Sequence, residues 1–189
     1  ATDVERRVDF EAMREYKLRR VRAQMDRYDL GALLCLDQDN VRYITSTYLN
    51  EWARGKYVRW CVLPRGGEPV LFEVGTATVA KQELCPWLKP ANIRPSTPWN
   101  RGANPRPVNL ALTKQVVEEV KRVLQENKVA NMAIGVDETD VYLLEALRDA
   151  GFRICNGYDA MFDARLIKSP EELKRHGFTA LAAVVGMDR

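Results

Sequence analysis

The stretch Ala164-Arg165-Leu166-Ile167-Lys168-Ser169-Pro170-Glu171-Glu172-Leu173-Lys174 decides how the chain is divided. Ser169 offers a side-chain oxygen to the first free N–H groups of a helix, Pro170 suits the first helical position, and Glu172, three residues after Ser169, closes a capping box. A helix is therefore expected to begin at Pro170. Its apolar residues Leu173, Phe178, Leu181, Val184 and Val185 run toward Arg189 with no glycine cap and no following element. Such an ending reads as cut rather than finished, and it sets residues 1–168 apart from 169–189.

Composition sets wide bounds. A chain of 189 residues with 46% apolar content can bury one sizeable core. Lys and Arg total 29 against 26 Asp and Glu, and a formal net charge of +3 is too small to be a nucleic-acid footprint. Cys35, Cys61, Cys85 and Cys155 are widely spaced with no Cys-x-x-Cys pair, which reads as buried free thiols in a reducing cytoplasm. There is no signal peptide, no apolar run of about 18 residues and no Asn-x-Ser/Thr acceptor, so neither membrane insertion nor secretion is supported.

From Asp9 to Tyr28, Leu18, Val21, Met25 and Tyr28 recur at helical spacing, and the interleaved Arg14, Lys17, Arg19, Arg20 and Arg22 read as a solvated outer face balanced by Glu11, Glu15 and Asp26. Gly31 is positioned to cap that helix, and Ala32 to Leu36 is an unbroken apolar run, hence a strand buried on both faces. Asp37 and Asp39 can cap a short helix that turns Val41 and Ile44 inward. Tyr57–Leu63 and Pro69–Val74 flank a Pro64–Glu68 turn and form a hairpin. Gly75–Leu84 has mild helical character with Val79 inward.

Six prolines between Pro86 and Pro107 break any helix there and allow an edge strand near Ala91–Arg94. This long irregular stretch, with Trp99 in it, reads either as a binding or dimer contact or as a passive surface excursion. A helix is expected from about Leu112 to Asn127, buried through Val116, Val120, Val123 and Leu124, with Glu118 four residues before Arg122. Met132–Val136 is a strand, and a helix capped by Thr139 buries Leu143, Leu144 and Leu147 and closes at Gly151. Phe152–Cys155 is a further strand, and Asp159–Phe162 a short helical turn. The alternation argues for an α/β fold, a mixed β-sheet covered by helices.

Two motifs resemble one family. Arg-x-Ile-Lys-Ser-x-x-Glu-(Leu/Ile), here Arg165 to Leu173, resembles the junction in the creatinase/prolidase/aminopeptidase P family, where a small N-terminal domain precedes a metal-binding "pita-bread" domain. Asp-x-x-Asn-(Ile/Val)-x-Tyr-(Leu/Ile)-(Thr/Ser), here Asp37 to Thr45, resembles the N-terminal domain of the same family and stands at the expected place ahead of the junction. The resemblance implies the creatinase/prolidase N-terminal fold with its ribonuclease H-like motif, a homodimer, and a loop, here Thr47 to Lys56, that reaches across the dimer toward the partner's active site. Arg42, Tyr43, Trp52 and Arg54 match the region that lends walls and charges to a substrate pocket, and with Trp99 they are the candidate substrate-access or dimer-contact residues. Each has a structural reading beside it: Tyr43 packs under its helix, Arg42 pairs with Asp39, and Trp52 packs on the surface.

The residues themselves offer little catalytic machinery. A protein-built metal site needs several convergent ligands, whereas the chain has one histidine, His176, on the terminal helix. Asp137, Glu138 and Asp140 straddle a strand end and a helix start, where acids serve as caps. There is no Gly-x-Ser-x-Gly, no Walker loop and no Gly-x-Gly-x-x-Gly. The resemblance places a pair of divalent metal ions, held by two Asp, one His and two Glu, in the absent domain, and none of those ligands maps onto this sequence; no cofactor is assigned to this chain. The expected role is dimerisation and substrate access for a metal-dependent Xaa-Pro peptidase or creatinase-like hydrolase acting on a peptide or small molecule. The alternatives are a stand-alone binding module, or a non-peptidase relative of the creatinase or dimethylsulfoniopropionate lyase type.

Overall fold

The computed structural model describes residues 7–48, 58–97 and 104–187. Helix α1 (Phe10–Arg27) is capped by Asp9, whose carboxylate accepts the Ala12 N–H at 2.9 Å. Strand β1 (Leu30–Cys35) is buried along its whole length, as an unbroken apolar run requires. Helix α2 (Gln38–Thr45) starts at Asp37, which accepts the N–H groups of Asp39 and Asn40. Strands β2 (Trp60–Pro64) and β3 (Val70–Glu73) form the hairpin. Then come α3 (Gly75–Leu84), β4 (Ile93–Pro95) and α4 (Arg106–Glu126). Next are β5 (Ala133–Val136), α5 (Val141–Asp149), β6 (Ile154–Asn156), α6 (Tyr158–Leu166) and α7 (Pro170–Met187).

The strands make one mixed six-stranded sheet in the order β4-β3-β2-β1-β5-β6. β1 is antiparallel to β2 and parallel to β5, so the most apolar strand is central. Alternation along it divides the core. Ala32 and Leu34 face a cluster with Trp60, Phe72, Val116, Val120, Leu143 and Leu147 under α4 and α5. Leu33 and Cys35 face Val21, Met25, Val41, Ile44 and Met161 under α1, α2 and α6. The result is three layers, with Trp60 stacked on its strand partner Phe72 at 3.7 Å between centroids.

Several local expectations are corrected. Gly31 lies inside β1, where a Cβ would collide with Met132; the left-handed residue that ends α1 is Asp29, at φ 49. Val79 is 62% exposed and Thr78 takes the inward position on α3. Helix α4 starts at Arg106, six residues earlier than Leu112, because Pro107 falls in its first turn, where backbone N–H groups have no helical partner to lose. Arg122 pairs with Glu119 at 3.0 Å rather than with Glu118. The cap of α5 is Asp140, which accepts the Leu143 N–H at 2.9 Å, rather than Thr139; Gly151, at φ 85, closes that helix in the left-handed region as expected. Leu144 is only half-buried, and the turn at Asp159–Phe162 is the nine-residue helix α6.

Of the basic residues of α1, Arg19 is exposed as expected and Arg27 largely so, but others reach partners in the fold. Arg20 donates to the carbonyls of Asp163 and Ala164 at 2.9 and 3.3 Å, Arg27 pairs with Asp163 at 3.0 Å, Arg22 donates to the Gly67 carbonyl, and Arg14 lies over Trp87. Tyr28 stays 38% exposed instead of turning inward, and its hydroxyl donates to Asp163. Among the described residues no helix is long and apolar enough to cross a membrane.

Candidate functional site

Strand directions gather the polar chemistry on one edge of the sheet. The registers Cys35–Cys61, Trp60–Phe72, Glu73–Pro95, Leu34–Val136 and Val136–Asn156 put the ends of β1, β3, β4, β5 and β6 beside the start of β2. In open α/β sheets this carboxyl edge is where ligand-binding crevices form. Extending the Trp60–Phe72 pairing by one residue brings Arg59 to Glu73. Their ion pair is 2.9 Å long, and the side chains are 1% and 0% exposed. Arg59 also donates to Gln38 Oε1 at 3.2 Å and to the Thr47 hydroxyl, while Gln38 Nε2 donates back to the Arg59 carbonyl at 2.9 Å.

This network holds both flanks of residues 49–57. Lys81 donates to the Tyr48 carbonyl at 2.7 Å on one side, and the Ser96 hydroxyl donates to the Val58 carbonyl at 2.6 Å on the other. Trp52, Arg54 and Trp99 lie outside the described residues. Arg42 is on α2 with its guanidinium over the Tyr48 ring at 4.8 Å. Tyr43 is buried as its packing role requires, its hydroxyl donating to the Ala164 carbonyl at 3.1 Å, and burial pushes its phenol well above the ordinary range.

Asp137, at the end of β5, does more than cap. Its carboxylate accepts the Leu36 N–H at 2.8 Å, the Glu138 N–H at 2.6 Å and the Asn40 side-chain amide at 2.9 Å, tying the ends of β1 and β5 to α2. Burial outweighs these donors and pushes the group up to about 6. Cys35, Cys61 and Cys85 are buried free thiols, and Cys155 is exposed.

The second feature is the junction that the opening stretch announced. Ser169 N–H donates to Glu172 at 2.9 Å and Glu172 N–H to the Ser169 hydroxyl at 3.1 Å, so the capping box is closed in both directions. Tyr16 donates to the Ile167 carbonyl and Glu171 accepts the Asp9 N–H, so α1 clasps residues 163–172 from several directions. Beyond the cap, α7 buries no residue: Leu173, Leu181 and Val184 are 60, 61 and 50% exposed.

Sequence reading missed the network of Arg59, Glu73 and Gln38 and took Asp137 only as a cap. A lone arginine at the mouth of an apolar strand, with a glutamate ending its hairpin partner, was the available signal. Among the described residues no three His, Cys, Asp or Glu side chains group so as to hold a metal ion, and no chemical step is assigned to one.

A mixed sheet between two helical layers, with a polar carboxyl edge, makes this a small α/β domain. Residues 17–164 match the Creatinase/Prolidase N-terminal domain, and the chain belongs to that family. It is 28% identical over 168 residues to the dimethylsulfoniopropionate lyase DddP of Roseovarius nubinhibens, a match that takes in 87% of this chain and 36% of that protein. In fold it is similar to an Xaa-Pro aminopeptidase from Streptococcus pyogenes, with a TM-score of 0.56 and 16% identity over 82% of this chain and 99% of that one. It is also similar to an Xaa-Pro dipeptidase from Bacillus anthracis, with a TM-score of 0.53 and 12% identity over 84% of this chain and 37% of that one. The chain thus spans about a third of the length of the lyase.

Proposed function

We propose that this chain is the N-terminal domain of a two-domain, metal-dependent enzyme, and that it pairs subunits and shapes access to a catalytic site carried by the following domain. Residues 1–168 form the domain and 169–189 the first helix of the catalytic one. The observation that carries this reading is α7: a well-capped helix of 18 residues that directly follows the family-matched region and keeps its apolar residues exposed. An apolar helical face of that size has its stabilising contacts elsewhere. The carboxyl edge, with Arg42 and Tyr43 described beside it, is the surface offered to a partner subunit in a homodimer and to a substrate, and Trp52, Arg54 and Trp99 are assigned the same role. A pair of divalent metal ions belongs to the catalytic domain. Buried free thiols at Cys35, Cys61 and Cys85 suit a reducing, cytoplasmic setting.

For the reaction, hydrolysis of Xaa-Pro peptides is one reading, supported by the fold shared with the two peptidases above. Cleavage of dimethylsulfoniopropionate is the second, favoured by the 28% identity to the lyase against 16% and 12% to those peptidases. Full-length protein, loaded with manganese, zinc, cobalt or iron, should be given an Xaa-Pro dipeptide and dimethylsulfoniopropionate in parallel. Released proline supports the first reading and released dimethyl sulfide the second. A parent reading frame that stops near Arg189 would defeat the two-domain proposal and leave a stand-alone binding module.

A further inference from the structure

A cleft of about 420 Å³ opens between α1, α2 and α7, lined by Lys17, Arg42 and Tyr43 on the domain side and by Glu172, Arg175 and His176 on the junction side, with Asp39 at its wall. Its charges do not cancel. Three permanent cations, Lys17, Arg42 and Arg175, face two carboxylates, Asp39 and Glu172, a surplus of one positive charge with His176 neutral. Glu172 is already committed: it takes the N–H and the hydroxyl of Ser169 in the capping box and stands 3.9 Å from Lys17. Asp39 has interactions of its own. The Lys17 side chain is 12% exposed and sits over the Tyr43 ring, while Arg42 is stacked on Tyr48. Lys17 and Arg42 are thus held in place before any ligand arrives, while Arg175 is exposed on α7.

We propose that this cleft is a binding site for a small oxyanion, a carboxylate or a phosphate, held by Arg42 and Arg175 with Lys17 behind them. Guanidinium groups bind both anions through paired charge-assisted hydrogen bonds, and the volume admits an anion with a short carbon chain. Because Arg175 is on α7 and Arg42 on α2, the bound anion joins the junction helix to the domain and fixes the angle at which α7 leaves. The electrostatics agree: burial lowers the Lys17 pKa, Glu172 opposes that, and the cations Arg175 and Arg42 lower it further, the repulsion an anion would relieve. The site is independent of which reaction the parent enzyme performs.

The 189-residue chain is melted at pH 7 in sodium propionate, sodium phosphate and sodium chloride of matched ionic strength. A saturable rise in Tm with propionate or phosphate but not chloride is expected, and the two arms separate a planar carboxylate site from a tetrahedral one. Arg42→Gln and Arg175→Gln should each weaken the apparent Kd by at least about tenfold, the loss of one charge-assisted hydrogen bond, while Tm in chloride stays near wild type. In an NMR titration of the Lys17 ammonium, the ligand should move the midpoint upward. An equal rise in chloride, undiminished binding in both variants, or a Lys17 midpoint that ignores the ligand would overturn the assignment.

Discussion

Glu73→Gln tests the buried network most sharply. The substitution keeps the shape of the side chain and removes the charge facing Arg59, whose side chain is 1% exposed and whose Nε–H donates to Glu73 at 2.9 Å. Removing one partner of a buried pair leaves an uncompensated charge and costs about 3–5 kcal/mol. With total stabilities of about 5–15 kcal/mol, that is a large fraction of the fold. At a urea slope of about 2–3 kcal/mol/M the midpoint should fall by about 1–2.5 M. Replacing both partners, Arg59→Met with Glu73→Leu, removes both charges and should recover more than half of the loss. Recovery stays partial because Gln38, Thr47 and the Val74 N–H lose a partner. The assay is urea unfolding followed by circular dichroism for wild type, Glu73→Gln, the singles Arg59→Met and Glu73→Leu, and the double. A single-variant cost below about 1 kcal/mol, or a double variant as unstable as the two singles summed, would refute the reasoning.

Asp137 is raised from 3.8 to about 6, so the folded state favours its protonated form. Its contribution is fully present below about pH 3.8 and is lost as pH rises through about 6, a change of about 3 kcal/mol. Asp137→Asn should remove this component from the pH dependence of urea midpoints, and an unchanged slope between pH 4 and 7 would contradict it. Asp140→Ala should cost about 1 kcal/mol and Thr139→Ala less than about 0.5, because the Leu143 N–H bonds to Asp140. The reverse ranking in thermal melts would restore Thr139 as the cap.

What was legible in the sequence was local. The Ser169–Glu172 box, the Asp37 cap and the apolar run of β1 are set by residues within four positions of one another, and each appears as read. The errors share a different physics. Proline near Pro105–Pro107 was treated only as a breaker, although the first turn of a helix has no hydrogen bond for proline to remove. Gly31 resembled a cap because its real constraint, the Met132 side chain, is 101 residues away. The basic face of α1 was read as solvated because its acceptors, the carbonyls of Asp163 and Ala164, are unmarked in any sequence pattern. Arg59, Glu73 and Asp137 meet their partners only after strands pair, so their roles follow from register rather than from spacing. The resemblance carried by the two motifs was sufficient to place the family, since residues 17–164 match it.

The central claim is that the reactive centre of the parent enzyme lies outside these residues. It is tested most directly by purifying the 189-residue chain, incubating it with manganese, zinc, cobalt and iron, and measuring bound metal together with turnover of an Xaa-Pro dipeptide and of dimethylsulfoniopropionate. The account predicts no stoichiometric metal and no turnover; a metal-loaded chain that turns over either substrate would contradict it.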